Sequence, residues 1–287
     1  MIRRNQKGAN AVSYAGSPQD NSILYLGKKF ADLVVNLEEV QGCLIFFEEG
    51  MQIPASVLEN NECHFSAVPV RDFALSVREV WEREQAELDQ LPRFNRDGAL
   101  IGSETDLADD VIIEPGAFVD HRVKIDSGTR VCTGAVIRHG TRIGRNCLIR
   151  EGAVIGSEGF TMAPSPQGEP FRLHCLAGVE LEEGVEVGAN TSIARGQARN
   201  TLIGSHSKID DRCYLAHDVM LGKLVTLTAG VSLGGFVEIG DGAYLGMNSS
   251  VKQLLSVGEK SVVGMGSVVT KSVPQAVTVL GVPARIR

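Results

Sequence analysis

From Ile101 onward the chain places an aliphatic residue at every sixth position. Ile101, Leu107, Ile113, Val119, Ile125, Val131, Ile137, Ile143, Ile149 and Ile155 keep this phase. Four positions after each of the first nine stands a small or β-branched residue: Thr105, Val111, Ala117, Val123, Thr129, Ala135, Thr141, Cys147 and Ala153. The phase lapses after Ile155, returns at Leu181, Val187 and Ile193, slips once more, and then runs unbroken from Ile203 to Val269. A period of six is neither the 3.6 of a helix nor the 2 of an ordinary strand. Each hexad reads as one short strand and a turn, with the aliphatic residue inward, the small residue at a corner and the rest outward. Three hexads close one coil of a triangular prism, so residues three hexads apart stack at about 4.8 Å. The pattern predicts a parallel β-helix whose interior is a stack of Ile, Leu and Val with no polar atoms to satisfy. Spacing does not fix its handedness, and the general crossover rule favours right-handed connections.

The stretch at 157–180, SEGFTMAPSPQGEPFRLHCLAGVE, breaks the phase and is rich in Pro and Gly. It reads as a loop ejected from the prism, a place where function often resides. A shorter polar slip, RGQARNT, spans 195–201. Residues 20–98 do not follow the hexad. SILYLGKKF, GCLIFFE and ECHFSAVPV read as strands, and FALSVREVWEREQAEL as an amphipathic helix over 73–88, giving a small α/β domain. Residues 1–19 read as a flexible arm. The expected organisation is that arm, the α/β domain over 20–98, and a mainly β domain of hexapeptide repeats over 99–287.

A 287-residue chain with 43% hydrophobic residues can bury a sizeable core. Its net charge of −7 gives no basis for nucleic-acid binding, which needs clustered Lys and Arg. No apolar run is long enough to span a membrane, and the basic start is not followed by the apolar stretch of a secretory signal. The six cysteines lack C-x-x-C or metal-type spacing, which suits free thiols in a reducing cytoplasm.

Among candidate chemical groups, His217 follows the inward Leu215 by two positions and so faces away from the aliphatic stack. A neutral imidazole there could act as a general base near pH 7. Gly235 lies three hexads on, one coil away, where the absence of a side chain lets a ligand approach the backbone N–H. Asp218 could orient the imidazole, although strand alternation would point adjacent side chains to opposite sides. His121 and His139 are also three hexads apart. No third histidine continues that row, so a zinc site with three ligands and an open position is not expected. His64 and His206 have no supporting context.

The hexads IGRNCLIREGAVIG and VEIGDGAYLG resemble the left-handed β-helix of the hexapeptide-repeat acyltransferases. AVIGSEGFTMAPSPQG, GVEVGANTSIARG and KIDDRCYLAHDV are similar to segments of the UDP-3-O-acylglucosamine N-acyltransferase family of lipid A synthesis and of related enzymes that acylate nucleotide-linked amino sugars for surface glycans. The resemblance implies a homotrimer with active sites between prisms and an acyl-CoA or acyl carrier protein cosubstrate rather than a tightly bound cofactor. It implies His217 as general base and the Gly235 N–H as oxyanion donor. Tyr25 and Phe30 approximate its uridine-stacking pair, with Phe160, His174, Arg195 and Asn248 as further substrate contacts.

The chain departs from that family in places. Ile193-Ala194-Arg195-Gly196 lacks an acid that the family carries, Leu254 stands where it has a second histidine, and Cys175 stands where it has a glutamine. The ending GMGSVVTKSVPQAVTVLGVPARIR resembles coenzyme A-dependent sugar acetyltransferases instead, implying Gly264, Gly266, Lys271, Pro283 and Arg285 at the coenzyme, with Arg287 nearby. These features together lead to an expected N-acyltransferase that moves an acyl group from acyl-CoA to a nucleotide-linked amino sugar in the cytoplasm. Three alternatives stay open: a carrier-protein-dependent enzyme of lipid A type, a sugar O-acetyltransferase, and a non-enzymatic solenoid scaffold.

Overall fold

The structure is a computed structural model that describes residues 9–163 and 169–287. The first eight residues of the expected arm, and 164–168 of the expected loop, lie outside the described residues. The chain divides into two compact units. One contains the chain through Asp89 together with Phe160–Ala177 and Gln197–Arg199; the other contains Gln90–Gly159, Gly178–Gly196 and Asn200–Arg287.

The larger unit is a left-handed parallel β-helix. Its strands are mostly two residues long and line three faces, one of eight strands and two of ten. The register matches the period of the sequence. Ile125 pairs with Ile143, Val131 with Ile149, Ile137 with Ile155 and Leu215 with Leu233, each three hexads on. The aliphatic position of each hexad is buried from Val119 to Ile155 and from Leu181 to Val269, Leu107 and Ile113 near the start being partly buried, and Val123, Ala135, Cys147 and Ala153 at the small position are buried with it.

The interior is not free of polar atoms, however. The buried Thr129 hydroxyl accepts from the Cys147 amide at 3.0 Å and donates to the Gly144 carbonyl at 2.8 Å. Thr191 and Ser207 repeat this pattern in later coils. At Thr129, Thr191 and Ser207 the hydroxyl thus closes a hydrogen-bond pair across two coils, which removes the cost of burying it.

Most corners turn through a left-handed residue three positions after the inward one. Gly128, Gly134, Gly140 and Gly152 do this with φ between 68° and 74°, and Asn146, Asn190 and Asn248 with φ between 55° and 57°. Antiparallel hairpins close the coil at both ends, Arg93–Arg96 with Ala99–Gly102 and Thr278–Leu280 with Arg285–Ile286.

The two phase breaks are surplus residues that the register passes over. Ile143 pairs with Leu181, and Leu181 in turn with Ile203, both partners lying further along the chain than three hexads. The surplus includes the segments Phe160–Ala177 and Gln197–Arg199, which belong to the smaller unit.

In that smaller unit, β1 (Ala11–Val12), β2 (Ser22–Leu26), β3 (Leu44–Glu48) and β4 (Glu62–Ser66) form a parallel sheet in sequential order. The helix α1 spans Ala55–Asn60 and α2 spans Pro69–Leu88, the latter opening on a proline at its first turn. A tight helical segment covers Lys28–Glu39. The described part of the arm is not loose. Ala9 and Val12 are buried against Ile23, Leu44 and Phe73, because pairing with β2 gives Ala11–Val12 a sheet edge to join. Nor is 160–177 a bare loop. Thr161–Ala163 and Phe171–Leu173 form a hairpin, and Ala163, Phe171, Leu173 and Leu176 pack into the same core as Ala74 and Val77 of α2.

Candidate active site

His217 follows the strand Tyr214–Leu215, at the edge of one ten-stranded face. Leu215 is driven inward by the hexad, and the chain then turns at Asp218, whose φ is 59°. Simple strand alternation fails here because a left-handed residue reverses the direction of the side chain. The Asp218 carboxylate swings back onto the preceding ring, and its Oδ2 lies 2.9 Å from His217 Nδ1. Asp218 is fully buried and its amide donates to the Thr201 hydroxyl at 3.0 Å. A carboxylate can only accept, so the Nδ1 proton belongs to this bond, and the neutral ring presents an unprotonated Nε2. His217 itself is 8% exposed.

Gly235 stacks one coil on. A methyl group there would sit 2.7 Å from Cε1 and 2.8 Å from Nε2 of His217, so glycine is required for the ring to occupy its place. Gly235 is buried, and among the described residues its amide has no hydrogen-bond partner. Other amides at coil corners are capped by side chains, Ser205 by Glu182, Lys223 by Asp241 and Ala229 by Asp210. An unpaired buried N–H beside an imidazole is a costly arrangement unless a ligand oxygen completes it. Phe236 follows, with φ of 62°, its ring edge-on to the imidazole at 5.1 Å between centroids.

The remaining expected site residues stand on several elements of the two units. Arg195 stacks beneath His217 in the register of Ile193 with Leu215. It does not face solvent: it is 3% exposed and its Nη1 bonds His139 Nε2. A guanidinium only donates, so His139 Nε2 accepts and its ring proton is on Nδ1, which faces Asp120 Oδ2 at 3.8 Å. Burial resists ionisation of Asp120. The nearby His139 ring, the hydrogen bond from the His121 amide and the charge of Arg138 outweigh it and hold the carboxyl well below the usual range. This buried Asp120–His139–Arg195 line escaped the sequence reading. The three-hexad spacing of His121 and His139 was its one visible sign, and His121 Nδ1 instead accepts from the Ser103 amide.

Asn248 is a corner residue whose carboxamide covers Gly230 of the preceding coil. Lys271, Pro283 and Arg285 are exposed near the last coil, and Gly266 has open space around it. Gly264 donates its amide to the Val279 carbonyl. In the smaller unit, the Tyr25 ring packs on Phe73, and Phe30 is half exposed under Lys29. Phe160 is exposed with Arg172 over its ring. His174 stacks on Trp81 at 4.0 Å between ring centroids. Among the described residues, no three His, Cys, Asp or Glu side chains gather as a metal site, and no helix is long and apolar enough to cross a membrane.

Residues 122–157 match the model of the bacterial transferase hexapeptide (six repeats), and 237–271 that of the hexapeptide repeat of succinyl-transferase. The chain carries hexapeptide repeats and resembles the UDP-3-O-acylglucosamine N-acyltransferases. It is 38% identical over 131 residues to the enzyme of that name from Caulobacter sp. (strain K31), covering 46% of this chain and 38% of the relative. It is 33% identical over 131 residues to that from Methylorubrum extorquens (strain PA1), covering 46% and 37%. The chain thus spans well under half the length of the curated relatives it matches. Among solved structures, LpxA from Acinetobacter baumannii is 28% identical with a TM-score of 0.56, covering 67% of this chain and 72% of that one. The UDP-N-acetylglucosamine acyltransferase from Campylobacter jejuni is 26% identical with a TM-score of 0.61, covering 67% and 73%.

Proposed function

We propose that this protein is an N-acyltransferase that moves an acyl group from a thioester to the amine of a nucleotide-linked amino sugar. The observation that carries this reading is the grouping of an oriented imidazole with an unpaired buried amide, His217 and Gly235, one coil apart. That the similar proteins include UDP-3-O-acylglucosamine N-acyltransferases and a UDP-N-acetylglucosamine acyltransferase supports the substrate class. In the proposed step the neutral amine attacks the thioester carbonyl, forming the C–N bond. His217 Nε2 takes the proton that the nitrogen sheds. The carbonyl oxygen, now an oxyanion, accepts from the Gly235 N–H. On collapse the C–S bond breaks, and the imidazolium returns its proton to the thiolate. Asp218 keeps the ring in the required tautomer and offsets its transient charge.

We further propose acyl-CoA as donor, with Lys271 and Arg285 meeting its phosphates, Gly264, Gly266 and Pro283 shaping the turn against it, and the protein working as a cytoplasmic homotrimer. Tyr25 and Phe30 remain the proposed stacking positions for the nucleotide base, with Phe160 as a further contact. The test is thiol release from acetyl-CoA with a panel of UDP- and dTDP-amino sugars. Release that depends on one amino sugar and falls by about 10² or more in His217→Ala is the expected result. Full activity in that variant overturns the mechanism. Activity only with acylated carrier protein overturns the donor alone.

A further inference from the structure

Left-handed corners disfavour side chains that crowd the following carbonyl, which is why glycine, Asn and Asp lead there. This coil obeys the preference at most corners, with Gly230, Gly242, Asn190 and Asn248 among them. Bulky apolar residues occupy left-handed corners of the coil at Leu224, Phe236 and Leu254 only, among the described residues. Two of these, Phe236 and Leu254, stack directly above Asp218 on the corner that carries His217. The Phe236 amide donates to the His217 carbonyl and the Leu254 amide to the Gly235 carbonyl.

Phe236 is also the one of the three whose ring contacts the imidazole. The planes stand at 87°, the edge-to-face arrangement that aromatic pairs favour. Three constraints therefore meet on one ring: the Asp218 carboxylate at Nδ1, the missing side chain of Gly235 beside Nε2 and Cε1, and the Phe236 ring against its side. A hydrogen bond at Nδ1 alone leaves the imidazole free to swing about that bond.

We infer that Phe236 is a positioning residue, retained at an unfavourable corner because its ring fixes the His217 imidazole with Nε2 beside the Gly235 amide. This rests on the proposed role of His217 as base. Asn is the residue that other corners carry, so Phe236→Asn suits the backbone and is expected to leave the melting temperature unchanged or raised. Phe236→Tyr keeps the ring, and Phe236→Leu keeps apolar bulk without it.

Two readouts separate the inference from the function it rests on. In the transfer assay, Phe236→Asn is expected to lower kcat by about tenfold or more with KM for both substrates little changed, as a misplaced catalytic group does. Phe236→Tyr is expected to restore most of kcat, and Phe236→Leu to restore little. In a second assay that needs no turnover, diethyl pyrocarbonate is expected to modify His217 faster in Phe236→Asn than in wild type or Phe236→Tyr, followed by mass spectrometry of the His217 peptide. Wild-type kcat and modification rate in both Phe236→Asn and Phe236→Leu would overturn the inference, as would equal impairment of the Tyr and Asn variants. If wild type transfers no acyl group, the proposed function fails and the modification rates alone decide whether Phe236 holds the ring.

Discussion

At the scale of single residues, the chemistry gathers where one left-handed turn overrides the local pattern. Spacing by three hexads was enough to pair His217 with Gly235 from the sequence. It was not enough for Asp218, because strand alternation sends neighbouring side chains apart and only the positive φ at Asp218 brings its carboxylate back to Nδ1. The clue was present in the Gly and Asn residues three positions after successive inward residues, which mark every such place as a corner. Gly235→Ala follows from the same geometry. Gly235 is not left-handed, so the backbone accepts alanine and the melting temperature is expected to hold. The added methyl displaces the imidazole, and kcat/KM is expected to fall by about 10².

Asp120 provides a test with a defined sign. Its folded-state carboxyl is held below the unfolded value of about 3.9, so its contribution is complete above that pH and fades as pH falls further. Asp120→Asn is expected to cost about 3 kcal/mol by urea denaturation at neutral pH, with the gap to wild type narrowing below about pH 4. Cys213 behaves as interior packing, since burial pushes its thiol up to about 11. It is expected to resist alkylation in the folded protein at neutral pH.

At the scale of elements, strands of two residues have almost no stability of their own, and their order comes from stacking on both neighbours. The hexad phase made this legible over nearly all of Ile101–Val269, because burial selects one residue in six with little regard to the rest. Truncating an inward residue should be severe and truncating an outward one mild. Ile149→Ala is expected to cost about 3 kcal/mol and Ser256→Ala less than about 0.5 kcal/mol, read by chemical denaturation. The smaller unit was less legible. The strands at Ser22, Leu44 and Glu62 and the helix Pro69–Leu88 carry recognisable apolar runs. The two-residue β1 and the segment Lys28–Glu39 do not, since each depends on neighbours distant in sequence.

At the scale of the whole molecule, the two units share the chain unequally. The coil breaks off twice to release segments that complete the other unit, and sequence alone could mark where the phase failed but not where the released residues went. Ala163, Phe171, Leu173 and Leu176 line the core with Phe73 and Val77. Excising Phe160–Ala177 is therefore expected to speed hydrogen exchange in Ser22–Leu26 and Leu44–Glu48 while coil amides such as those of Thr226 and Tyr244 stay protected. The register carries a further consequence. The coil works like a combination dial with three settings per revolution. Inserting one hexad would leave every aliphatic residue inward and the core intact, yet advance everything downstream by a third of a revolution, so that His217 and Gly235 would keep their places only if the insertion lay outside the stretch between them. An insertion of three hexads completes the revolution. Length changes in whole revolutions conserve alignment along an edge, and this chain, with a long surplus before Leu181 and a short one before Ile203, returns to its setting by letting the excess out at the rim.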